Sequence, residues 1–390
     1  MYNLMNEAVF LARHQVQSEP GFIIGPIAWL FGIILDFMFN IVYFITPNNS
    51  LGLAIILLTV VAMTMMLPLN VKAQRSMIAM QKLNPEIEKI KQKYGNKTDA
   101  ETKQKIGQET QALMAKHKVN PLGSCLPMLI QMPLFFGLLH IMNQSYLYID
   151  TLNTLYVEIA EVIQYAPNYV ETFTALIGPR GASGTLLAND WFDNGLRLRD
   201  YINRGHDIET ALNLLGTSDV IVLANPENMA RVLDRFTEMH WNALFYGGEV
   251  NGRFVPALDI QALTSYNQEA LRSSFDRLRS IELFLGLPLK ENSGWFPPGI
   301  IIPILAVVTT TATSWFSQQI NKSKDPNQKT MQTVMMVVMP LFMGFITVGM
   351  PAAVGLYWIT SNLYRLIQQI VMNKKAGVPF RLPFMKKAEA

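Results

Sequence analysis

The run Val119–Met142 constrains this chain more than any other feature. It opens with a turn, Asn120-Pro121, directly after a lysine-rich segment, and then stays apolar for about the width of a bilayer. Similar runs recur at 24–46, 51–70, 296–316, 331–350 and 351–371. A hydrocarbon core takes roughly 20 apolar residues per helical crossing. In a chain of 390 residues, 50% hydrophobic and only 16% charged, such repetition predicts an all-α integral membrane protein with several crossings. The single cysteine, Cys125, lies inside one run, which excludes a disulfide framework and reads as packing. Met1–Pro20 lacks the basic, apolar and small-residue succession of a signal peptide.

Charge placement orients the crossings. Segment 71–120 carries 11 basic residues against 5 acidic, a net of +6, and the short loop 321–330 and the tail 373–390 are also basic. Segment 146–294 holds 11 basic and 19 acidic residues, a net of −8, with Lys290 its only lysine. Positively charged segments stay on the cytoplasmic side. Residues 71–120, 321–330 and 373–390 are therefore expected inside and 146–294 outside. The crossings are 51–70, 121–142, 296–316, 331–350 and 351–371. Run 24–46 admits two readings, since its flanks are nearly neutral. One is a sixth crossing. The other, which we take, is a helix flat in the outer interface with Asp36 and Asn40 toward the headgroups. The domains expected are 1–50 with the interfacial helix, 51–145 with two crossings around a cytoplasmic hairpin at 72–118, the external domain 146–294, three crossings in 295–372, and the basic cytoplasmic tail 373–390.

In the hairpin, Met80, Leu83, Ile87, Ile90 and Tyr94 recur at helical spacing, and Gly95-Asn96 predicts a break. Asn84-Pro85-Glu86 reads as a helix start. The second helix carries Ile106, Leu113 and Met114. Lys72, Arg75, Lys82, Lys89, Lys91 and Lys93 make the hairpin basic. The plain reading is a solvated helix pair whose charge enforces topology. The sharper one is a docking site for anionic lipids, ribosomal RNA or an incoming chain. Segment 146–294 is long enough for a small domain, with helical patterns at 205–215, 226–245 and 258–286 and a glycine-rich turn at 178–184.

The five histidines are scattered, and neither a His-Glu-x-x-His nor a Gly-x-Ser-x-Gly motif occurs, nor any nucleotide-binding loop. The chain is read as no enzyme, with no cofactor, no metal and no DNA partner. What remains is polarity inside the crossings, which is costly in hydrocarbon and marks pathways or wet cavities. The last run places Trp358, Asn362, Arg365 and Gln369 on one helical face beside Ser361. The third places Thr310, Ser314, Ser317 and Gln318 at helical spacing. Thr59 and Met63 line up in the first, and Ser124 and Gln131 lie seven apart in the second. Hydrogen bonding between helices would explain any one of them; a stripe on four runs suggests a hydrophilic groove.

Leu67-Pro68-Leu69, Met80-Gln81-Lys82-Leu83-Asn84-Pro85-Glu86, Val119-Asn120-Pro121-Leu122-Gly123, Leu129-Ile130-Gln131-Met132-Pro133, Leu356-Tyr357-Trp358 and Ser361-Asn362 together resemble, in wording and order, the YidC family of membrane protein insertases. The resemblance covers about 51–145 and 295–372, and leaves 146–294 as an insertion of the kind some clostridial-type members carry. It implies a five-helix core around a groove open to cytoplasm and lipid, a flat helix before the first crossing, and a bacterial cell-membrane location with the C-terminus cytoplasmic. It implies nascent or newly made membrane proteins as clients, inserted without nucleotide hydrolysis. Ribosomes and the general secretion channel enter as candidate partners. Family members often carry an arginine five residues before the Pro-Leu exit, where this chain has Met63. Arg365 then becomes the candidate for the groove charge, with snorkelling to cytoplasmic headgroups as its plain reading. The competing class, a small-solute transporter or channel, would call for internal repeats and paired intramembrane charges, and within the five runs Arg365 is the one charged residue.

Overall fold

The computed structural model describes residues 21–95, 99–117, 126–143, 145–177, 226–250, 252–320 and 333–375. In chain order these form helices α1 (Gly21–Ile45), α2 (Ser50–Met65), α3 (Leu67–Tyr94), α4 (Ala100–Lys116), α5 (Leu126–Asn143), α6 (Ser145–Tyr148), α7 (Asp150–Ile163), α8 (Tyr169–Ile177), α9 (Pro226–Leu233) and α10 (Glu238–Tyr246). The hairpin β1–β2 (Gly248–Val250, Arg253–Val255) follows, then α11 (Ser265–Glu282), the hairpin β3–β4 (Leu283–Phe284, Leu287–Pro288), α12 (Ile301–Ile320), a π turn (Val334–Val338), α13 (Met339–Val348) and α14 (Ala352–Lys375). The expected pattern 205–215, the turn 178–184, loop 321–330, Ser124, Cys125 and the tail beyond Lys375 lie outside the described residues.

By length and hydropathy, Gly25–Ile45 is the one continuous helix among the described residues able to cross a membrane alone. Ser50–Met65 and Leu67–Ser76 qualify as a pair bent by 55°, and Gln131–Met142, Ile301–Ser317 and Met336–Val348 are shorter apolar stretches. The bend has a local cause: Pro68 sits in the first turn of α3, where its missing N–H is no loss and its ring does not continue the preceding helix.

The chain divides into two units, 1–54 with 134–291 and 55–133 with 292–390. The first takes in residues 146–291. Leu152, Leu155, Tyr156, Ile159 and Ile163 form the buried stripe of α7, which packs on α9 and α11. Phe236, Trp241, Phe245 and Phe275 form an aromatic cluster with ring centroids 4.8–6.0 Å apart, Trp241 stacked on Phe245 and the other pairs edge-on or tilted. Lys290 is buried among acids. Its Nζ donates to Asp234 and, at 2.9 Å, to the Tyr156 hydroxyl, which in turn donates to Glu282 at 2.6 Å. Burial holds the Glu282 carboxyl above its usual range against the pull of Lys290, and pushes the Tyr156 phenol well up. The lone lysine of this acidic segment thus neutralises the interior.

Helix α1 buries Ala28, Gly32, Leu35, Phe39 and Val42, a stripe at helical spacing. Asp36 does not simply face outward with Asn40, as expected from sequence. Its Oδ2 accepts from Asn40 at 3.0 Å and its Oδ1 from the backbone N–H of Asp150 at 3.3 Å. Burial nevertheless raises the Asp36 carboxyl from its ordinary value to about 6, with Asp150 adding to the effect and these two bonds opposing it.

In the second unit, α12 packs on α13 and α14. Gly344 and Gly355 let the helices approach: a Cβ on Gly355 would lie 2.2 Å from the Ile302 Cγ2 atom. Helices α3 and α4 form the expected antiparallel pair, turning at Gly95 (φ 62°). Lys93 bonds Glu109 at 2.8 Å, Tyr94 donates to the same carboxylate at 2.6 Å, and Asp99 caps α4 by accepting from the Thr102 N–H at 2.9 Å. Hydrogen bonding to Lys93 and Tyr94 holds the Glu109 carboxyl below its ordinary value. Asn84-Pro85 is no helix start, however: α3 runs unbroken from Leu67 with Pro85 inside it. Pro85 is exposed, so water can satisfy the carbonyl it leaves unpaired.

Candidate functional site

The polar residues expected to line a groove all fall in the second unit, on α2, α5, α12 and α14. The face Trp358, Asn362, Arg365, Gln369 is occupied along its length. Trp358 donates its indole N–H to the Thr310 Oγ1 atom at 3.1 Å, and Asn362 donates to the same oxygen at 2.9 Å and to that of Thr309 at 3.4 Å. Gln369 donates to Ser317 at 2.8 Å. These bonds tie α14 to α12. The threonines also return bonds to their own helix, Thr313 to the Thr309 and Thr310 carbonyls.

Arg365 bonds across to α5. Its Nη2 donates to the Gln131 Oε1 atom at 2.7 Å, and the Gln131 amide donates to the Tyr357 hydroxyl. The guanidinium thus turns inward onto a neutral amide instead of extending toward the lysines at the end of α14. A second tyrosine, Tyr364, lies 3.1 Å from the Thr64 hydroxyl of α2. Tyr357 and Tyr364 are seven apart, so they share a face of α14, and α14 reaches three neighbouring helices through polar atoms.

Burial sorts the candidates. Thr59 and Met63 are fully buried, and Thr59 returns its hydroxyl to the Ile55 carbonyl at 2.7 Å. Asn362 and Ser361 are 5% and 4% exposed, Ser361 bonding the Trp358 carbonyl. Gln131, Thr310, Ser314, Trp358 and Arg365 are half-buried, and the side chain of Gln318 lies outside the described residues. On the hairpin, Lys72, Arg75, Lys82, Lys89 and Lys93 are exposed and Lys91 half-buried. The sequence reading missed Tyr364, Thr64 and Thr309 as members of the network, and treated Tyr357 as motif only. A tyrosine at one-heptad spacing from another on an apolar helix is the signal that points to them.

Apolar helices whose few polar side chains hydrogen-bond to one another, with apolar side chains such as Leu305, Val308, Phe342 and Phe345 exposed outward, define an integral membrane protein of the helical class. A family model described as 60Kd inner membrane protein matches residues 42–178 and 254–378. The match covers more than half of the chain, and the protein belongs to this family, the YidC family. It is 47% identical over 110 residues to the membrane protein insertase MisCA of Bacillus subtilis, covering 26% of this chain and 42% of that one. It is 42% identical over 128 residues to the membrane protein insertase YidC 1 of Halalkalibacterium halodurans, covering 32% and 46%. To the membrane protein insertase YidC of Clostridium tetani it is 40% identical over 113 residues, covering 29% and 48%. The chain spans less than half the length of these relatives. The family match runs on to 178 and resumes at 254, so the unmatched stretch is 179–253, and α7, α8, α11 and β3–β4 fall within the matched regions.

Proposed function

We propose that this protein is a membrane protein insertase of the bacterial cell membrane, taking nascent or newly made membrane proteins from the cytoplasm into the bilayer without nucleotide hydrolysis. Its core is five crossings, at 51–70, 121–142, 296–316, 331–350 and 351–371, with the C-terminus cytoplasmic. The carrying observation is the inward Arg365–Gln131 bond. A crossing helix holds its one charge within the helical bundle, on a partner that does not neutralise it, so the charge remains available to an acidic client tail. Gln131, Thr310, Ser314, Trp358 and Arg365 form the client-facing part of the groove, and Thr59, Met63, Ser361 and Asn362 hold the helices behind it.

The energetics suit a passive device. A charged residue at the bilayer centre costs roughly 2.5–3.5 kcal/mol on insertion scales, and each large apolar residue returns about 0.3–0.6 kcal/mol. A polar groove that shortens the dry path lets a 20-residue client segment offset a few tail charges. The exposed lysines of α3, together with the basic tail, suit anionic lipid headgroups and, as further partners, ribosomes and the secretion channel. The flat placement of α1 is supported by Asp36, which bonds the start of α7 just beyond the outer end of α5. Mid-helix therefore lies at the outer boundary and not at the bilayer centre.

The test is reconstitution in liposomes without nucleotide, adding a single-span client with an acidic tail and scoring protection of the tail from external protease. Protection above empty liposomes, lost in Arg365→Ala and largely kept in Arg365→Lys, is expected. Wild-type insertion by Arg365→Ala would remove the arginine from the mechanism, and no insertion by folded wild-type protein would overturn the insertase reading.

A further inference from the structure

The β3–β4 hairpin carries an apolar side chain where the backbone disfavours one. Leu283 pairs with Pro288 and Phe284 with Leu287, leaving Leu285-Gly286 as a two-residue turn. Both turn residues have positive φ, 53° at Leu285 and 82° at Gly286. Turns of this kind call for Asn, Asp or Gly at the first position, and a leucine there is strained. Nor does folding recover that strain by burial, because Leu285 is 80% exposed.

The hairpin is fixed to the chain just ahead of the first crossing. The Leu285 N–H donates to the Asn49 Oδ1 atom at 2.8 Å, and the Asn49 N–H donates to the Ser280 carbonyl at 2.8 Å. Phe284 lies against Gly52 in the first turn of α2, so closely that a Cβ there would come within 2.2 Å of its ring. The tip is therefore level with the residues at which α2 begins. Just before Asn49, the end of α1 presents Phe44 and Ile45, 91% and 75% exposed.

We propose that Leu285 is a lipid anchor: it enters the boundary between headgroups and acyl chains of the outer leaflet and fixes the height of the external domain over the membrane. The occupant follows from position. A side chain held level with the outer end of a crossing helix meets the bilayer interface, and apolar side chains gain by entering it. Phe44 and Ile45 continue the same apolar rim. The inference rests on the reading of α2 as a crossing that starts outside.

The test uses the full chain with Cys125→Ser in vesicles of phosphatidylethanolamine and phosphatidylglycerol. Nitroxide labels are placed singly at Leu285→Cys, at Tyr266→Cys on the exposed face of the external domain, and at Leu57→Cys two turns into α2. Collision rates with oxygen and with a water-soluble nickel chelate give depth. The label at 285 is expected to favour oxygen severalfold more than that at 266, and less than that at 57. A label at 285 as open to nickel as that at 266, with 57 protected, overturns the anchor and leaves the crossing standing. Nickel access at 57 overturns the crossing itself, and the anchor with it. A second variant, Leu285→Asn, suits the positive φ. As a purely structural change it slows amide exchange in 283–288; as loss of an anchor it speeds exchange there in vesicles, about fivefold, while 150–163 is unchanged. Slower or unchanged exchange counts against the anchor.

Discussion

Replacing Lys290 with methionine should destabilise the packing of α7, α9 and α11 around it in a way that depends on pH. The side chain is 11% exposed and bonds Asp234, whose side chain is fully buried, with Glu282, 16% exposed, at 3.4 Å. Methionine fills much of the space but leaves two carboxyl groups with no counter-charge. Removing one partner of a buried ion pair costs about 3–5 kcal/mol, and the residual exposure here argues for the lower end, about 3 kcal/mol. At about 1.4 kcal/mol per decade, amide-exchange protection of 150–163 and 226–233 should fall roughly 100-fold at pH 8. The fold raises the Glu282 carboxyl above its unfolded value, so it favours the protonated form. That contribution is complete below the unfolded carboxylate range, about pH 4.3, and is lost as pH rises through the folded value. Lys290 limits the loss by lowering Glu282, and its removal extends it. The gap between wild type and variant should therefore be wide at pH 8 and narrow near pH 4, and Lys290→Met with Asp234→Asn should recover part of the protection. A gap of equal size at both pH values would refute the reasoning, because a packing defect does not titrate.

Thr310→Val should lower the thermal midpoint in micelles: it removes the acceptor shared by Trp358 and Asn362, worth about 1–2 kcal/mol for two interhelical bonds in a membrane protein. Gly355→Ala should cost about 1–3 kcal/mol through overpacking on Ile302, and Ile302→Ala in the same chain should restore much of the unfolding midpoint. Pro85→Ala should slow amide exchange across 82–94, since an interior proline costs a helix about 3 kcal/mol, and leave protease-protection yields in the insertion assay unchanged.

Local chemistry made much of this legible. The apolar runs pointed to the helices α2, α5, α12, α13 and α14, because long apolar stretches bounded by turn residues favour helix over strand. The hairpin helices followed from an apolar residue every three or four, and the break at Gly95 from its freedom at positive φ. The reading failed where a local signal has two outcomes. Asn84-Pro85 opens helices elsewhere, yet here the upstream segment was already helical and solvent tolerated the missing bond. Helices α7 and α8 were not among the patterns singled out in 146–294, although Leu152, Leu155, Tyr156, Ile159 and Ile163 recur at helical spacing.

At the site, the sequence determined which side chains share a face: Trp358, Asn362, Arg365 and Gln369 align because the helix repeats every 3.6 residues. Only the tertiary structure decided what that face does. It directs Trp358, Asn362 and Gln369 to α12, turns Arg365 onto Gln131 of α5, and closes Thr59 and Met63 into packing. The same holds for Lys290 and Leu285. Sequence shows one lysine in an acidic segment and one leucine before a glycine. That the first is buried against Asp234 and Tyr156, 56 and 134 positions away, and the second stands exposed beside Asn49, 236 positions away, is what no local pattern encodes.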